Sequence, residues 1–194
     1  LTGGDEEITW PFGLYESISY DGNRLKTAIR YANRKVLEAT RERADYEGMA
    51  TTVAAVIVDR DQANLGHVGD SRCYLFREGQ LSQLTSDHSW VNEQIQSGVI
   101  SPDQARSHPL RNVVTRALGG KTDLVVDMQT HRMQSGDVLL LCSDGLTTML
   151  PDDEIARILG ASAGVEQAGQ DLVAAANAHG GEDNITVVLI QFSE

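Results

Sequence analysis

The order of elements along the sequence predicts an α+β domain, and three observations carry that reading. Short β-branched runs joined by tight turns crowd residues 51–85. Helical periodicity is confined to separate blocks, about 21–44 and 151–178. Two further apolar strands, Val138–Cys142 and Ile185–Phe192, flank the second of those blocks. Strands and helices that cluster apart, instead of alternating, point to α+β and away from a doubly wound parallel sheet. No repeat, linker or low-complexity stretch divides the 194 residues, so one domain over 1–194 is expected.

Taken in order, residues 1–20 form an irregular lead-in. Ile8, Trp10, Phe12, Leu14 and Ile18 are scattered, and Pro11 and Gly13 break any regular element. Asp21 is the expected N-cap of a helix running to about Ala44, because Leu25, Ile29, Ala32, Val36 and Leu37 share one face at helical spacing. Thr51–Val58 reads as a buried strand, Ala63–Val68 and Arg72–Phe76 as the next two, and Leu81–Thr85 as a fourth. The turns Asp59–Gln62 and Arg77–Gln80 are short, which implies antiparallel pairing.

Residues 86–120 are less regular and predict a flap. Short helices are expected over Trp90–Gly98, from Pro102 behind the Ser101 start signal, and over Asn112–Leu118. A strand follows over Asp123–Arg132. Val138–Cys142 is wholly apolar. Pro151–Leu159, with acids in its first turn, and Val165–Ala178 are helices, the second ended by Gly180-Gly181. Ile185–Phe192 closes the chain as a strand.

Composition narrows the function. Hydrophobic residues make up 41% and charged residues 23%, an ordinary globular balance. Sixteen Lys and Arg against 28 Asp and Glu give a net charge of −12. That argues against a general nucleic-acid binder and against docking on anionic membranes. It suits either a solvated acidic surface or hard divalent cations. Cys73 and Cys142 sit in apolar runs with no zinc spacing, so both are expected to be buried and a disulfide is not required; a reducing, cytoplasmic setting follows. No run approaches the roughly 18 apolar residues of a membrane span. The chain does not begin with Met, as expected of a processed or trimmed polypeptide.

Three acids stand at strand boundaries: Asp70 in Gly69-Asp70-Ser71-Arg72, Asp144 in Ser143-Asp144-Gly145, and Asp183 in Gly181-Glu182-Asp183-Asn184. If the strands at 138–142 and 185–192 are antiparallel neighbours, Asp144 and Asp183 meet at one sheet edge. Clustered carboxylates repel unless a proton or cation lies between them, and oxygen-only ligation favours Mg²⁺ or Mn²⁺. Asp-Gly and Gly-Asp are also common turn dipeptides, so any one acid alone reads first as a turn residue, and it is all three at boundaries of apolar strands that bring the metal reading level with it.

Four ordered motifs carry a resemblance: Gly48-Met49-Ala50-Thr51-Thr52, His67-Val68-Gly69-Asp70-Ser71-Arg72, Leu141-Cys142-Ser143-Asp144-Gly145-Leu146, and Gly181-Glu182-Asp183-Asn184-Ile185-Thr186-Val187-Val188. Over about residues 21–193 the chain resembles the PPM (PP2C-like) metal-dependent protein phosphatases. Leu81–Gly120 is similar to the bacterial members. The resemblance implies an antiparallel β-sandwich flanked by helices in four layers, and hydrolysis of phosphoserine and phosphothreonine by a metal-activated water. It implies Asp144 and Asp183 as ligands of a paired Mn²⁺ or Mg²⁺ site, and Asp70 as a holder, with Asp144, of a third ion. Asn184 would orient ligands from behind, and 86–120 would be the flap that contacts substrate. The substrates implied are phosphoproteins of a bacterial-type Ser/Thr kinase.

The family's opening strands, with their bridging Asp and phosphate-gripping Arg, have no counterpart in this sequence. Gly3-Gly4-Asp5 and Tyr20-Asp21-Gly22 echo that region only superficially. The expectation is therefore an N-terminally truncated domain, exposing sheet edges that a complementing chain would cover. The alternative function is a non-catalytic binding or regulatory domain. Elsewhere, His67 is expected to be a packed core histidine, and His88 and His108 surface residues or, in the sharper reading, a proton donor to the leaving group. Arg111 and Arg116 are expected to be solvent-facing or carboxylate-paired, with phosphate contact as the alternative. Trp10 and Trp90 should plug the core edge or the flap base.

Overall fold

The computed structural model describes residues 10–193; Ile8, Gly3-Gly4-Asp5 and the start of the lead-in lie outside the described residues. A long helix comes first, α1 (Tyr20–Glu42), followed by a 3₁₀ turn at Ala44–Tyr46. Four strands follow: β1 (Val53–Asp59), β2 (Gln62–Val68), β3 (Arg72–Arg77) and β4 (Gln80–Gln83). Residues 86–120, the segment expected above to be a flap, carry α2 (Trp90–Gln96) and α3 (Pro102–Arg106). Then come β5 (Asp127–Arg132), β6 (Val138–Cys142), α4 (Asp144–Thr147), α5 (Asp152–Ala161), α6 (Val165–Ala178) and β7 (Val187–Gln191).

Two antiparallel sheets result, in the orders β1-β2-β5 and β4-β3-β6-β7. Period-2 alternation assembles them into layers. On β2, Ala63 and Leu65 face the second sheet, where they meet Cys73, Leu139 and Leu141. Val68 faces the other way, onto Leu25 and Ile29 of α1. Leu140 and Cys142 of β6 turn toward Ile155, Leu172 and Ala176 of α5 and α6. The order is helix, sheet, sheet, helices, which is the four-layer sandwich expected. All five residues of β6 are buried because that strand is central and covered on both faces.

Several expectations need correction. Ser19, not Asp21, caps α1: its Oγ accepts the Gly22 N–H at 3.0 Å, while Asp21 sits in the first turn paired with Arg24. β1 begins at Val53 and is only half-buried, since it is the edge of its sheet. Asn112–Leu118 is not a helix. Instead β-branched Val114 makes an isolated antiparallel bridge to Ser89, and Leu118 another to Thr51. The strand expected from Asp123 starts at Asp127, although Leu124 and Val126 still bury into the α1 cluster. The short helix α4 was not foreseen. Cys73 and Cys142 are buried, free thiols, and burial pushes both up to about 12. Among the described residues, no helix is long and apolar enough to cross a membrane.

Candidate functional site

Asp70 sits in the turn between β2 and β3. That turn needs a glycine: Gly69 has φ +114°, and a Cβ there would lie 2.3 Å from Thr52 Cγ2. The Ser71 and Thr52 hydroxyls bond at 2.8 Å and close the turn. Arg72 then opens β3 and grips Asp87 with two nitrogens, Nε to Oδ1 at 2.9 Å and Nη2 to Oδ2 at 2.6 Å. Its Nη1 donates to the Tyr74 hydroxyl at 2.8 Å, and that buried hydroxyl donates to Asp152 Oδ1 at 3.1 Å. One network thus ties the β2–β3 turn to the flap root and to the start of α5.

Asp144 leaves β6 at the same end. β3 and β6 are antiparallel, with Arg72 opposite Cys142. Asp70 and Asp144 each lie two residues beyond that terminal pair, at the same end of the sheet. The side chains feel each other: burial first, and the Asp144 charge second, push the Asp70 carboxyl above the usual carboxylate range. A half-buried acid near a like charge is a place where a divalent cation is favourable.

β6 and β7 are antiparallel neighbours, as the sequence reading required, with Cys142 opposite Val187. Beyond the ladder, Ser143 N–H donates to Thr186 O at 3.1 Å. Ser143 Oγ donates to Asn184 O and accepts from Thr186 N–H, both at 3.0 Å. The loops bearing Asp144 and Asp183-Asn184 are therefore clamped together. Asp183 itself is exposed, and its Oδ1 accepts the Asn184 N–H at 2.7 Å. Asn184 is held through its backbone carbonyl. The fold brings Asp70 and Asp144 to the same end of the β3–β6 ladder, within electrostatic reach, and sets Asp183 on the adjoining loop.

The three acids do not converge on one point. Among the described residues, the one group of three ligating side chains with donor atoms within 4.8 Å of one another is His67, His88 and Asp127. Its atoms are already engaged. His67 Nε2 donates to Ser86 O at 3.0 Å, since a carbonyl can only accept. His88 Nδ1 accepts the Gly69 N–H at 3.0 Å, so its proton lies on Nε2, 3.2 Å from Asp127 Oδ2. The two rings stack at 4.5 Å with planes 18° apart, so their nitrogens do not aim at a shared ion. This is a hydrogen-bonded network. Burial, then Arg116 and His67, hold the His88 ring below its ordinary value. Burial pulls the Asp127 carboxyl upward, but bonds from His88 and Arg116 outweigh it and keep it low.

The model of the family described as protein phosphatase 2C matches residues 13–188. The chain belongs to the protein phosphatase 2C family. It is 40% identical, over 167 residues, to the serine/threonine phosphatase stp of Listeria welshimeri, covering 86% of this chain and 66% of that protein. Stp1 from Staphylococcus aureus superposes with a TM-score of 0.86 at 35% identity, over 94% of this chain and 71% of that one. The catalytic domain of the phosphatase PstP, solved in complex with two manganese ions, gives 0.81 at 33% identity, over 88% and 71%. The chain spans just under two thirds of the length of the first curated relatives it matches.

Within this 2C-family domain, the remaining expectations divide. His67 is a packed core histidine, as read. His88 is not a surface residue: it is 6% exposed, because Gly69, His67 and Asp127 enclose it. Its hub position was missed, and the signal lay in Asp87-His88 following a strand that ends beside the Gly69 turn. His108 is half-buried, stacked on Trp90 at 4.7 Å within the flap. Trp10 meets Tyr20 edge-on at 5.7 Å beside α1. Arg116 is carboxylate-paired, 2.6 Å from Asp127, and Arg111 faces solvent.

Proposed function

We propose that this domain serves a metal-dependent protein serine/threonine phosphatase. The observation that carries the reading is the like-charged pair Asp70 and Asp144, each two residues beyond the Arg72–Cys142 end of the β3–β6 ladder and close enough for the Asp144 charge to act on Asp70. Carboxylate oxygens of this kind suit Mn²⁺ or Mg²⁺, and Asp70 and Asp144, with Asp183 from the adjoining loop, are the residues that would hold them. Bound metal would supply an activated water and neutralise charge on the phosphoryl oxygens. The chain's own part is to fix the acids: Gly69 and Ser71 set the Asp70 turn, and Ser143 locks Asp144 to the Asp183-Asn184 loop. Asn184 is proposed to orient ligands from that loop.

Substrates on this reading are phosphoproteins, the products of a bacterial-type Ser/Thr kinase. Exposed Val99, Leu110 and Val113 on the flap offer them an apolar contact. The outer edges of β1 and β7 support a complementing chain. A groove of about 670 Å³ beside β7, lined by Val165, Gly169, Val173, Val187 and Leu189, lies next to the second edge. Two buried free thiols support a reducing, cytoplasmic location.

The test is hydrolysis of p-nitrophenyl phosphate with and without millimolar Mn²⁺, in wild type and Asp144→Asn. Mn²⁺-dependent turnover lost in the variant is expected. A folded wild type with no turnover, alone or with a complementing chain, would leave a non-catalytic domain.

A further inference from the structure

The flap and the Asp70 turn are joined more tightly than any separate feature requires. Four consecutive flap-root residues embrace the turn. Thr85 Oγ1 accepts the Cys73 N–H at 3.1 Å, Ser86 O accepts from His67, Asp87 holds Arg72, and His88 holds Gly69. His88 makes the largest contribution. Its N–H donates to Gly69 O at 2.9 Å, and its ring Nδ1 accepts the Gly69 N–H at 3.0 Å, so it grips both polar groups of one peptide residue. Its own carbonyl accepts the Thr115 N–H at 2.8 Å, on the returning arm of the flap. Its Nε2–H reaches Asp127 Oδ2, whose other oxygen holds Arg116.

We propose that His88 is a positioning residue, clasping the Asp70 turn to both arms of the flap and so fixing the Asp70 carboxylate relative to Asp144. The proposal rests on the reading of Asp70 and Asp144 as metal-holding acids. Its physical basis is short leverage. Asp70 is the next residue after Gly69, and Gly69 has a backbone conformation that few other residues adopt. The Gly69 amide is buried, so with the His88 ring removed it would be left without a partner, and the turn would shift to find one. Movement of the flap at Thr115 or Arg116 would pass through the same residue to Asp70.

The two ring nitrogens can be tested apart. Asparagine places an amide oxygen where Nδ1 lies and keeps the Gly69 bond. Glutamine places its amide nitrogen nearer Nε2, keeping the reach to Asp127 while losing the Gly69 acceptor. The experiment compares wild type, H88N and H88Q by calorimetric Mn²⁺ titration, by hydrogen exchange at the Gly69 amide, and by kcat and KM for p-nitrophenyl phosphate. Expected are fast Gly69 exchange and a roughly tenfold weaker Mn²⁺ affinity in H88Q, the scale typical of groups that orient metal ligands. H88N should stay near wild type in both, and the H88Q loss should fall on kcat more than on KM. If H88N and H88Q lower the melting temperature alike and leave Mn²⁺ affinity unmoved, His88 is structural only and the proposal falls. Fast Gly69 exchange in the wild type would overturn the clasp without any substitution. A wild type with slow Gly69 exchange that binds no Mn²⁺ would overturn the metal reading, and the positioning role with it, while leaving the hydrogen bonds intact.

Discussion

Gly145 lies against the Asn184 carbonyl so closely that an added Cβ would sit 2.4 Å from its oxygen. The contact is with backbone, which cannot swing aside. It fixes how near the loop after β6 comes to the loop before β7, and so how Asp144 stands relative to Asp183. Gly145→Ala should force the loops apart at a cost of about 1–3 kcal/mol, the usual range for overpacking. It should also weaken Mn²⁺ binding, although alanine changes no ligand. Calorimetric unfolding and metal titration of the variant check both. An alanine variant with wild-type affinity would mean that the spacing of these loops does not matter to the site.

At the start of α1, the capping duty falls to Ser19. Its Oγ accepts the Gly22 N–H and donates to Asn64 Oδ1 of β2 at 2.5 Å, so one hydroxyl both ends the helix and anchors it to the sheet. Ser19→Ala should cost about 1 kcal/mol or somewhat more. Asp21→Asn breaks only an exposed pair with Arg24 and should stay within about 0.5 kcal/mol. Paired thermal melts decide the order, and a larger loss in Asp21→Asn would return the cap to the residue the sequence pattern favours.

That case shows why some of the fold was legible and some was not. β6 announces itself because all five of its residues are apolar, and β2 because alternate residues serve alternate faces. The acids at strand ends were legible for the same reason: strand ends were. What escaped notice depends on partners distant in sequence. Asn112–Leu118 carries helical spacing, but Ser89 and Thr51 offer it strand pairing. His88 looks like a polar loop residue until Gly69 and His67, about twenty positions earlier, close over it. The Asp183 carboxylate accepts its own neighbour's amide, the turn chemistry that is the alternative reading for each of the three acids.

Asp137 should make the fold acid-sensitive. The nearly buried carboxylate takes Arg77 Nε at 2.7 Å, Arg77 Nη2 at 2.5 Å and the Gln134 N–H at 2.7 Å. The Arg77 bonds chiefly, with the Gln134 amide assisting and burial opposing, hold it below its ordinary 3.8. A carboxyl depressed in the folded state binds fewer protons there than when unfolded. Its stabilisation is therefore complete above 3.8 and is lost as pH falls below that value. Asp137→Asn should cost about 2 kcal/mol at neutral pH, and less as the pH is lowered toward 3. Denaturant melts across pH measure this, and a constant difference between variant and wild type would assign the loss to packing instead of charge.

Asp70 and Asp144 should reverse the usual sense of a mutation depending on metal. Without a cation, Asp70 is a half-buried acid beside a like charge, and it costs the fold free energy. Asp70→Asn removes that charge while keeping the shape, so the metal-free variant should melt above the metal-free wild type. Mn²⁺ that binds only the folded protein adds stability by mass action, about 2.7 kcal/mol at a hundredfold excess over Kd. Wild type should gain this fully, Asp70→Asn less, and Asp144→Asn least, because Asp144 is the acid shared between the proposed ion positions. Melting curves of the three proteins across a Mn²⁺ titration should therefore cross: the variant leads at zero metal and wild type leads at saturation. Parallel curves would mean that the two acids do not act on a common cation, and the proximity of Asp70 and Asp144 at the end of the β3–β6 ladder would then be a feature of the turns alone.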